Sequence, residues 1–310
     1  MEEKAPIVLF IYNRPDSTKR LLDSLALNPE ANQSQLYVFC DGPKQNCNIE
    51  VLAQISSTRS IVRSEKRFKE VIIIELESNR GLAQSIIDGV TQILQHHESV
   101  IVLEDDLIVA PYFLYYMNDS LNRYESELRV GQIGACNYYA CGSQFPNFFF
   151  TPITDCLGWA TWKNRWIAFE TDSQKLYVEL LKNDAKKELF NAYGSYNFMG
   201  MLEKQILNEV SSWAIRWQAT CVLQNWLTLY PNPSMTQHIG ASNFTHTNID
   251  ILPPLSSTRP SMDTIPVELN SKVIEAMKLG YAGIGDYYGK LKNRSIGSQF
   301  KNLFKKIIPL

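Results

Sequence analysis

The sequence predicts an α/β protein built on a mostly parallel central sheet flanked by helices. Three observations carry this. From Ile7 to Cys136 the chain alternates short apolar runs with segments of helical periodicity, the order expected of parallel strands joined by crossover helices. The apolar runs are mostly continuous rather than alternating, as strands buried on both faces must be. Several of these runs end in an acid or a glycine-containing turn, and open α/β sheets bind their ligands at the carboxyl ends of strands. The chain has 310 residues, 45% of them hydrophobic and 20% charged, enough apolar material for one large domain with or without an extension.

The first run, Ile7-Val-Leu-Phe-Ile-Tyr12, predicts a buried strand. It stops at Asn13-Arg14-Pro15-Asp16. Pro15 disfavours helix at Arg14, and Asp16 or Ser17 can cap a helix whose apolar face is Leu21, Leu22 and Leu25. Arg14, at this strand-to-helix junction, is placed either to hold a phosphate or base or to pair with a local acid. A second run, Leu36-Tyr-Val-Phe-Cys40, ends at Asp41-Gly42-Pro43. Asp41 can accept hydrogen bonds from a ribose or a base edge, or it can tie down its own turn. Residues 48–67 read as a mixed-charge surface helix and residues 71–76 as a third strand. Asn79-Arg80-Gly81 opens a helix over 82–97 with Ile86, Val90, Ile93 and Leu94 at helical spacing. Gly81 permits positive φ or a close backbone approach, and Arg80 beside a helix N-terminus suits an anionic ligand. His96 and His97, at the other end, read as partners of the helix dipole.

The most informative stretch is Val100-Ile-Val-Leu-Glu104-Asp105-Asp106-Leu-Ile-Val109. The β-branched run predicts a strand, and the acids, disfavoured inside one, must stand where it ends. Three crowded carboxylates repel one another and favour a cation, with Mg²⁺ or Mn²⁺ the suitable hard ions. A solvated acidic turn is the plainer alternative. Pro111 begins a helix over 112–127, and residues 130–136 read as a further strand. No GxGxxG follows the first strand and no GxxxxGK[ST] occurs, which disfavours a dinucleotide-binding enzyme and a P-loop NTPase.

The second half reads differently. Residues 137–154 are aromatic and loop-like. Leu157-Gly-Trp-Ala-Thr-Trp-Lys-Asn-Arg-Trp166 concentrates tryptophans that can stack on sugars or plug a core. Ser211-Ser212-Trp213 precedes a hydrophobic segment, and Leu227-Thr-Leu-Tyr-Pro231 reads as a late strand. His238 and His246 lie in a polar loop as metal ligands or as hydrogen-bonded loop residues. Prolines 253, 254 and 260 mark a linker before a helix over 269–279, giving a main domain over 1–250 and a C-terminal extension over 251–310. The end mixes Lys290, Lys292, Arg294, Lys301, Lys305 and Lys306 with Phe300, Leu303, Phe304, Ile307 and Ile308. Such a basic amphipathic tail suits either peripheral contact with an anionic membrane or docking on its own domain. A net charge of −2 argues for no nucleic-acid partner. The acidic start Met1-Glu-Glu-Lys, the lack of a long apolar span and six cysteines without metal or disulfide spacing lead to the expectation of a cytoplasmic protein with free thiols. Cys136 and Cys141 are the one nearby pair.

Together these residues resemble glycosyltransferases of the GT-A fold. The likeness is to the group containing the N-acetylglucosaminyltransferase that starts complex N-glycan branching, with its bacterial sugar-transferase relatives. It rests on Tyr12-Asn13-Arg14 after the first strand, Cys40-Asp41-Gly42 after the second, Glu104-Asp105-Asp106 followed by Leu and Val-Ala-Pro111, and Gly158-Trp159. It implies metal-dependent, inverting transfer from a nucleotide sugar, UDP-linked with UDP-N-acetylglucosamine as one candidate, to a glycan or lipid-linked saccharide of a bacterial surface polysaccharide. On this likeness Asp106, with Asp105, holds Mn²⁺ or Mg²⁺ on the diphosphate, and Asp105 also approaches the ribose or sugar. Glu104 approaches the sugar, Asp41 holds the uracil or ribose, Asn13, Arg14, Arg80 and Gly81 stand nearby, and Trp159 is the acceptor-side Trp. An inverting transfer needs a general base. The family's Asp-Asp-Trp is here Ser211-Ser212-Trp213, so Glu209 and Asp155 become the candidates. The missing acids keep open a non-catalytic sugar-nucleotide or glycan-binding protein on the same fold. A nucleotidyltransferase making activated sugars is a third reading, although Asn13-Arg14-Pro15 is not a glycine-rich phosphate loop.

Overall fold

The computed structural model describes residues 4–239 and 254–293. Its strands are β1 (Ile7–Ile11), β2 (Gln35–Cys40), β3 (Glu70–Glu75), β4 (Ser99–Glu104), β5 (Leu107–Val109), β6 (Val130–Gly134), β7 (Phe148–Thr151), β8 (Trp159–Trp162), β9 (Leu227–Pro231) and β10 (Thr236–His238). The helices are α1 (Pro15–Ala26), α2 (Ile49–Arg63), α3 (Leu82–Leu94), α4 (Phe113–Tyr124), α5 (Lys163–Trp166), α6 (Ser173–Leu181), α7 (Asp184–Phe190), α8 (Phe198–Ile206), α9 (Trp213–Leu223) and α10 (Ser271–Asn293). An eight-stranded sheet runs in the order β3-β2-β1-β4-β8-β6-β9-β7. Only β8 and β7 oppose the other strands, so the sheet is mixed and mostly parallel, as the apolar runs predict.

The parallel half sets the site. All five residues of β1 are buried, which the continuous apolar run requires. In register, Phe10 lies opposite Glu104 of β4 and Ile11 opposite Cys40 of β2. The three carboxyl ends therefore open on one edge, and the segments that follow them (Tyr12 to Arg14, Asp41 to Gly42, Asp105 to Asp106) become neighbours. Helix α3 packs close beneath: a Cβ on Gly89 would come within 2.7 Å of the Phe10 ring, so only glycine lets the helix approach this near.

Several expectations are corrected in detail. Neither Asp16 nor Ser17 caps α1; the helix starts at Pro15 and has no side-chain cap, because proline presets φ and lacks an N–H needing a partner. Helix α2 stops at Arg63 because Glu65 turns the chain, accepting from the backbone N–H groups of Lys66 and Arg67. His97 meets Tyr37 Oη through Nε2 at 3.2 Å. The aromatic stretch read as loop contains β7, which pairs antiparallel with β9. The tryptophan-rich stretch supplies β8, inserted antiparallel between β4 and β6. Gln237 and His238, read as part of a polar loop, belong to β10, which pairs with β5.

One core cluster surrounds the sheet, and a second lies beneath α6, α7, α8 and α9. The segment after residue 254 packs on this body: Met262 joins the first cluster, and Met277 and Tyr281 of α10 join the second. All six cysteines are free, Cys136 and Cys141 included. Among the described residues no helix is long and apolar enough to cross a membrane. His246 and the basic residues from Arg294 onward lie outside the described residues.

Candidate functional site

A cleft of about 220 Å³ opens at the carboxyl ends of β1, β2 and β4. Tyr12, Asn13, Arg14, Asp41, Lys44, Gly81, Ser85 and the acids Glu104, Asp105 and Asp106 all line it. The residues expected from the three strand ends are thus brought together. The carboxylates do not stand free. Arg14 Nη1 lies 2.8 Å from Asp105 Oδ1 and 2.7 Å from Asp106 Oδ2, bridging the two. Asp105 Oδ2 also accepts from the Tyr12 backbone N–H at 3.1 Å.

A histidine completes the cluster. His238 Nε2 stands 3.4 Å from Asp106 Oδ2, brought there by the pairing of His238 with Leu107 across β10 and β5. Among the described residues two buried polar atoms of the cleft have no hydrogen-bond partner: Glu104 Oε1 and Ser85 Oγ. Buried polar groups are usually satisfied, so such orphans mark where a ligand's polar groups fit.

The three acids do not share charge equally. Burial, then the charges of Asp106 and Asp105, push Glu104 well above the usual carboxylate range. Burial raises Asp105 to about 6, with Arg14 pulling the other way. Burial also works against Asp106, but His238 and Arg14 outweigh it and hold this carboxyl low. Arg14, whose charge burial opposes, is held protonated by Asp105 and Asp106. One carboxylic acid poised to keep its proton beside an ionised one is a pattern that divides acid and base roles.

Asp41 takes the second of its two expected roles and ties down its own turn. Its Oδ1 accepts from the N–H groups of Gly42 at 2.8 Å and Arg80 at 2.9 Å, and its Oδ2 from Asn79 Nδ2 at 2.8 Å and the Gly81 N–H at 3.1 Å. It therefore shapes the turn that delivers α3, with Gly81 at φ 79° as the residue before the helix. Arg80 turns to Asp88 at 3.3 Å and is not among the residues lining the cleft.

A smaller pocket of about 40 Å³ is lined by Tyr138, Asp155, Cys156, Phe198 and Tyr281, among others. Burial raises Asp155 to about 6 against the hydrogen bonds it accepts from the N–H groups of Leu157 and Cys156. Asp155 and Glu104 lie close enough for their charges to interact, and so do Asp155 and His238. Glu209, the other candidate base, is exposed in the turn between α8 and α9 and lines neither cavity. Trp159 is fully buried, stacked on Trp213 with ring centres 4.9 Å apart. It offers no open face to a sugar, which corrects its placement among the binding residues. Ser212 is the N-cap of α9, its Oγ accepting from the Ile215 N–H at 3.3 Å.

A divalent ion was the expectation for Asp105 and Asp106. Carboxylate oxygens and the unpartnered Glu104 Oε1 have the right chemistry. The arrangement does not match it, because the position shared by the two aspartates is taken by the Arg14 guanidinium. Among the described residues no group of three or more His, Cys, Asp or Glu side chains is set to hold a metal.

No protein-family model matches the chain, and no curated protein sequence does. Among solved structures it is similar to a cytidylyltransferase from Leptospira borgpetersenii serovar Hardjo-bovis, at 13% identity and TM-score 0.34 over 56% of this chain and 64% of that one. It is also similar to S. aureus TarS, at 12% identity and TM-score 0.36 over 74% of this chain and 36% of that one. The chain spans less than two thirds of the length of either, and likeness of this degree carries no argument about activity.

Proposed function

We propose that the chain is a glycosyltransferase that takes a sugar from a nucleoside-diphosphate donor bound at the carboxyl ends of β1, β2 and β4. The observation that carries this reading is the cleft itself, where the three strand-end motifs meet around Arg14 and the acidic triplet. The leaving group is a nucleoside diphosphate, whose developing negative charge needs fixed cations and donors. Arg14 and Lys44 line the cleft and supply them. The acceptor side is the aromatic half, where Tyr138, Phe198 and Tyr281 surround Asp155.

In the proposed reaction Asp155 takes the proton from an acceptor hydroxyl. The acceptor oxygen then bonds to the anomeric carbon from the face opposite the leaving group. The carbon–oxygen bond to the phosphate breaks, and its electron pair leaves with the diphosphate. Asp155 is preferred over Glu209 because it lies in a pocket, is raised toward neutrality and interacts with Glu104. Glu104, whose carboxyl burial pushes well above the usual carboxylate range, is suited when protonated to donate a hydrogen bond to the donor sugar.

A second reading, a non-catalytic binder of sugar nucleotides, draws on Ser212, which caps α9 where the resemblance calls for an acid. A panel of nucleotide sugars, followed by thermal shift and by donor turnover, separates the two. Stabilisation by a nucleoside-diphosphate sugar with turnover lost in Asp155→Asn is the expected result. Stabilisation without turnover toward water or any saccharide acceptor selects the binder, and no stabilisation by any of the panel rejects both.

A further inference from the structure

We infer that Arg14 is the cation of the donor site, filling the place a divalent ion would take between Asp105 and Asp106, so that a nucleoside diphosphate binds without metal. The inference deepens the proposed donor site and rests on it.

The backbone dictates the position of Arg14. The parallel register sets Phe10 opposite Glu104, so the residues just past β1 and β4 must lie side by side. Pro15 starts α1 directly after Arg14, and its ring fixes the backbone at the junction. The arginine is thus carried to the acids by the sheet and by the start of a helix. Its Nη1 then sits within 2.8 Å of one aspartate and 2.7 Å of the other. An ion bridging those carboxylates would occupy the same space.

The rest of the guanidinium is available. Among the described residues only Nη1 of Arg14 is hydrogen-bonded to protein. Nε and Nη2 remain as donors on a side chain that is 29% exposed and lines the cleft. A guanidinium anchored at one nitrogen and open at the others presents a fixed fork, suited to phosphate oxygens. Lys44 lines the same cleft, and among the described residues no carboxylate lies within ion-pair distance of it. Ser85 Oγ, on the first turn of α3, is a hydroxyl without a partner among the described residues, on a residue only 8% exposed. These groups together offer an anionic diphosphate positive charge and donors that do not depend on an ion.

The test is calorimetric titration of the full chain with UDP, once in EDTA and once with Mn²⁺, alongside titration with Mn²⁺ alone. Wild type is expected to bind UDP in EDTA within about threefold of its affinity in Mn²⁺, because the charge needed is built in. Arg14→Ala is expected to lose at least about tenfold in EDTA and, with its two aspartates released, to bind Mn²⁺ where wild type does not. Arg14→Lys, which keeps charge without the fork, is expected to fall between them and serves if the alanine variant misfolds. UDP binding by wild type only in Mn²⁺, or Mn²⁺ binding by wild type that Asp106→Asn abolishes, overturns the inference and leaves the donor site standing. Failure to bind UDP in either condition overturns the donor site itself and the inference with it.

Discussion

At the scale of single residues, the chemistry turns on which acid does what. Asp155 is raised to about 6 by burial, so below that pH it carries a proton and cannot accept another. Its Asn variant is expected to bind donor normally while turnover falls by about 10²–10⁴-fold. In wild type, kcat should drop as pH falls through about 6, following one proton, because the proposed reaction uses the deprotonated form as the base. Unchanged turnover in Asp155→Asn assigns the base elsewhere. Some of this was legible in the sequence. The triplet Glu104 to Asp106 announced itself because acids cannot sit inside a β-branched strand. His238 was legible only as a metal-ligating or hydrogen-bonded loop histidine, since its place beside Asp106 depends on β10 meeting β5 across more than a hundred residues of chain. Trp159 was misread for a related reason: a Gly-Trp pair reads the same whether the ring faces solvent or, as here, the core.

At the scale of elements, the site depends on how turns deliver helices to the sheet edge. Asp41 holds the backbone N–H groups of Gly42, Arg80 and Gly81 together with Asn79. Asp41→Ala leaves those donors without their acceptor, and a loss of about 2–4 kcal/mol in chemical denaturation is expected. A loss below about 0.5 kcal/mol would show that water replaces the carboxylate at little cost. Gly89→Ala tests the packing of α3 on β1, where the added methyl meets the Phe10 ring at 2.7 Å and that ring is stacked on Phe39. An overpacking penalty of about 1–3 kcal/mol is expected from the same measurement. The parallel strands were legible because burial on both faces demands unbroken apolar runs. Strand β7 was not, since its Phe-rich sequence lies between turn residues and its partner β9 comes some eighty residues later.

At the scale of the whole molecule, the described residues 254–283 of the C-terminal segment pack on the body of the fold. The prolines after residue 252 suggested a linker, yet Leu255 bridges to Ser234, Leu269 bridges to Phe150, and α10 buries Val273, Met277 and Tyr281. Prolines read as linker because they lack a strand donor, whereas the apolar residues between them find partners only in three dimensions. Tyr281 also hydrogen-bonds Tyr138 through their hydroxyls at 2.9 Å and lines the pocket of Asp155. Ending the chain after Asn270 is therefore expected to cost at least about 3 kcal/mol and to weaken acceptor use more than donor binding. Equal stability in the shortened chain would place α10 outside the cooperative unit.

The central claim is that nucleoside diphosphates bind where β1, β2 and β4 end, and a plug in that cleft tests it most directly. Leu82 lines the cleft and is 45% exposed, so Leu82→Trp fills the space without entering the core. Calorimetric titration of wild type and Leu82→Trp with UDP is expected to show binding in the first and at least about tenfold weaker binding in the second. Binding indifferent to the plug, or no binding by wild type, would contradict the claim.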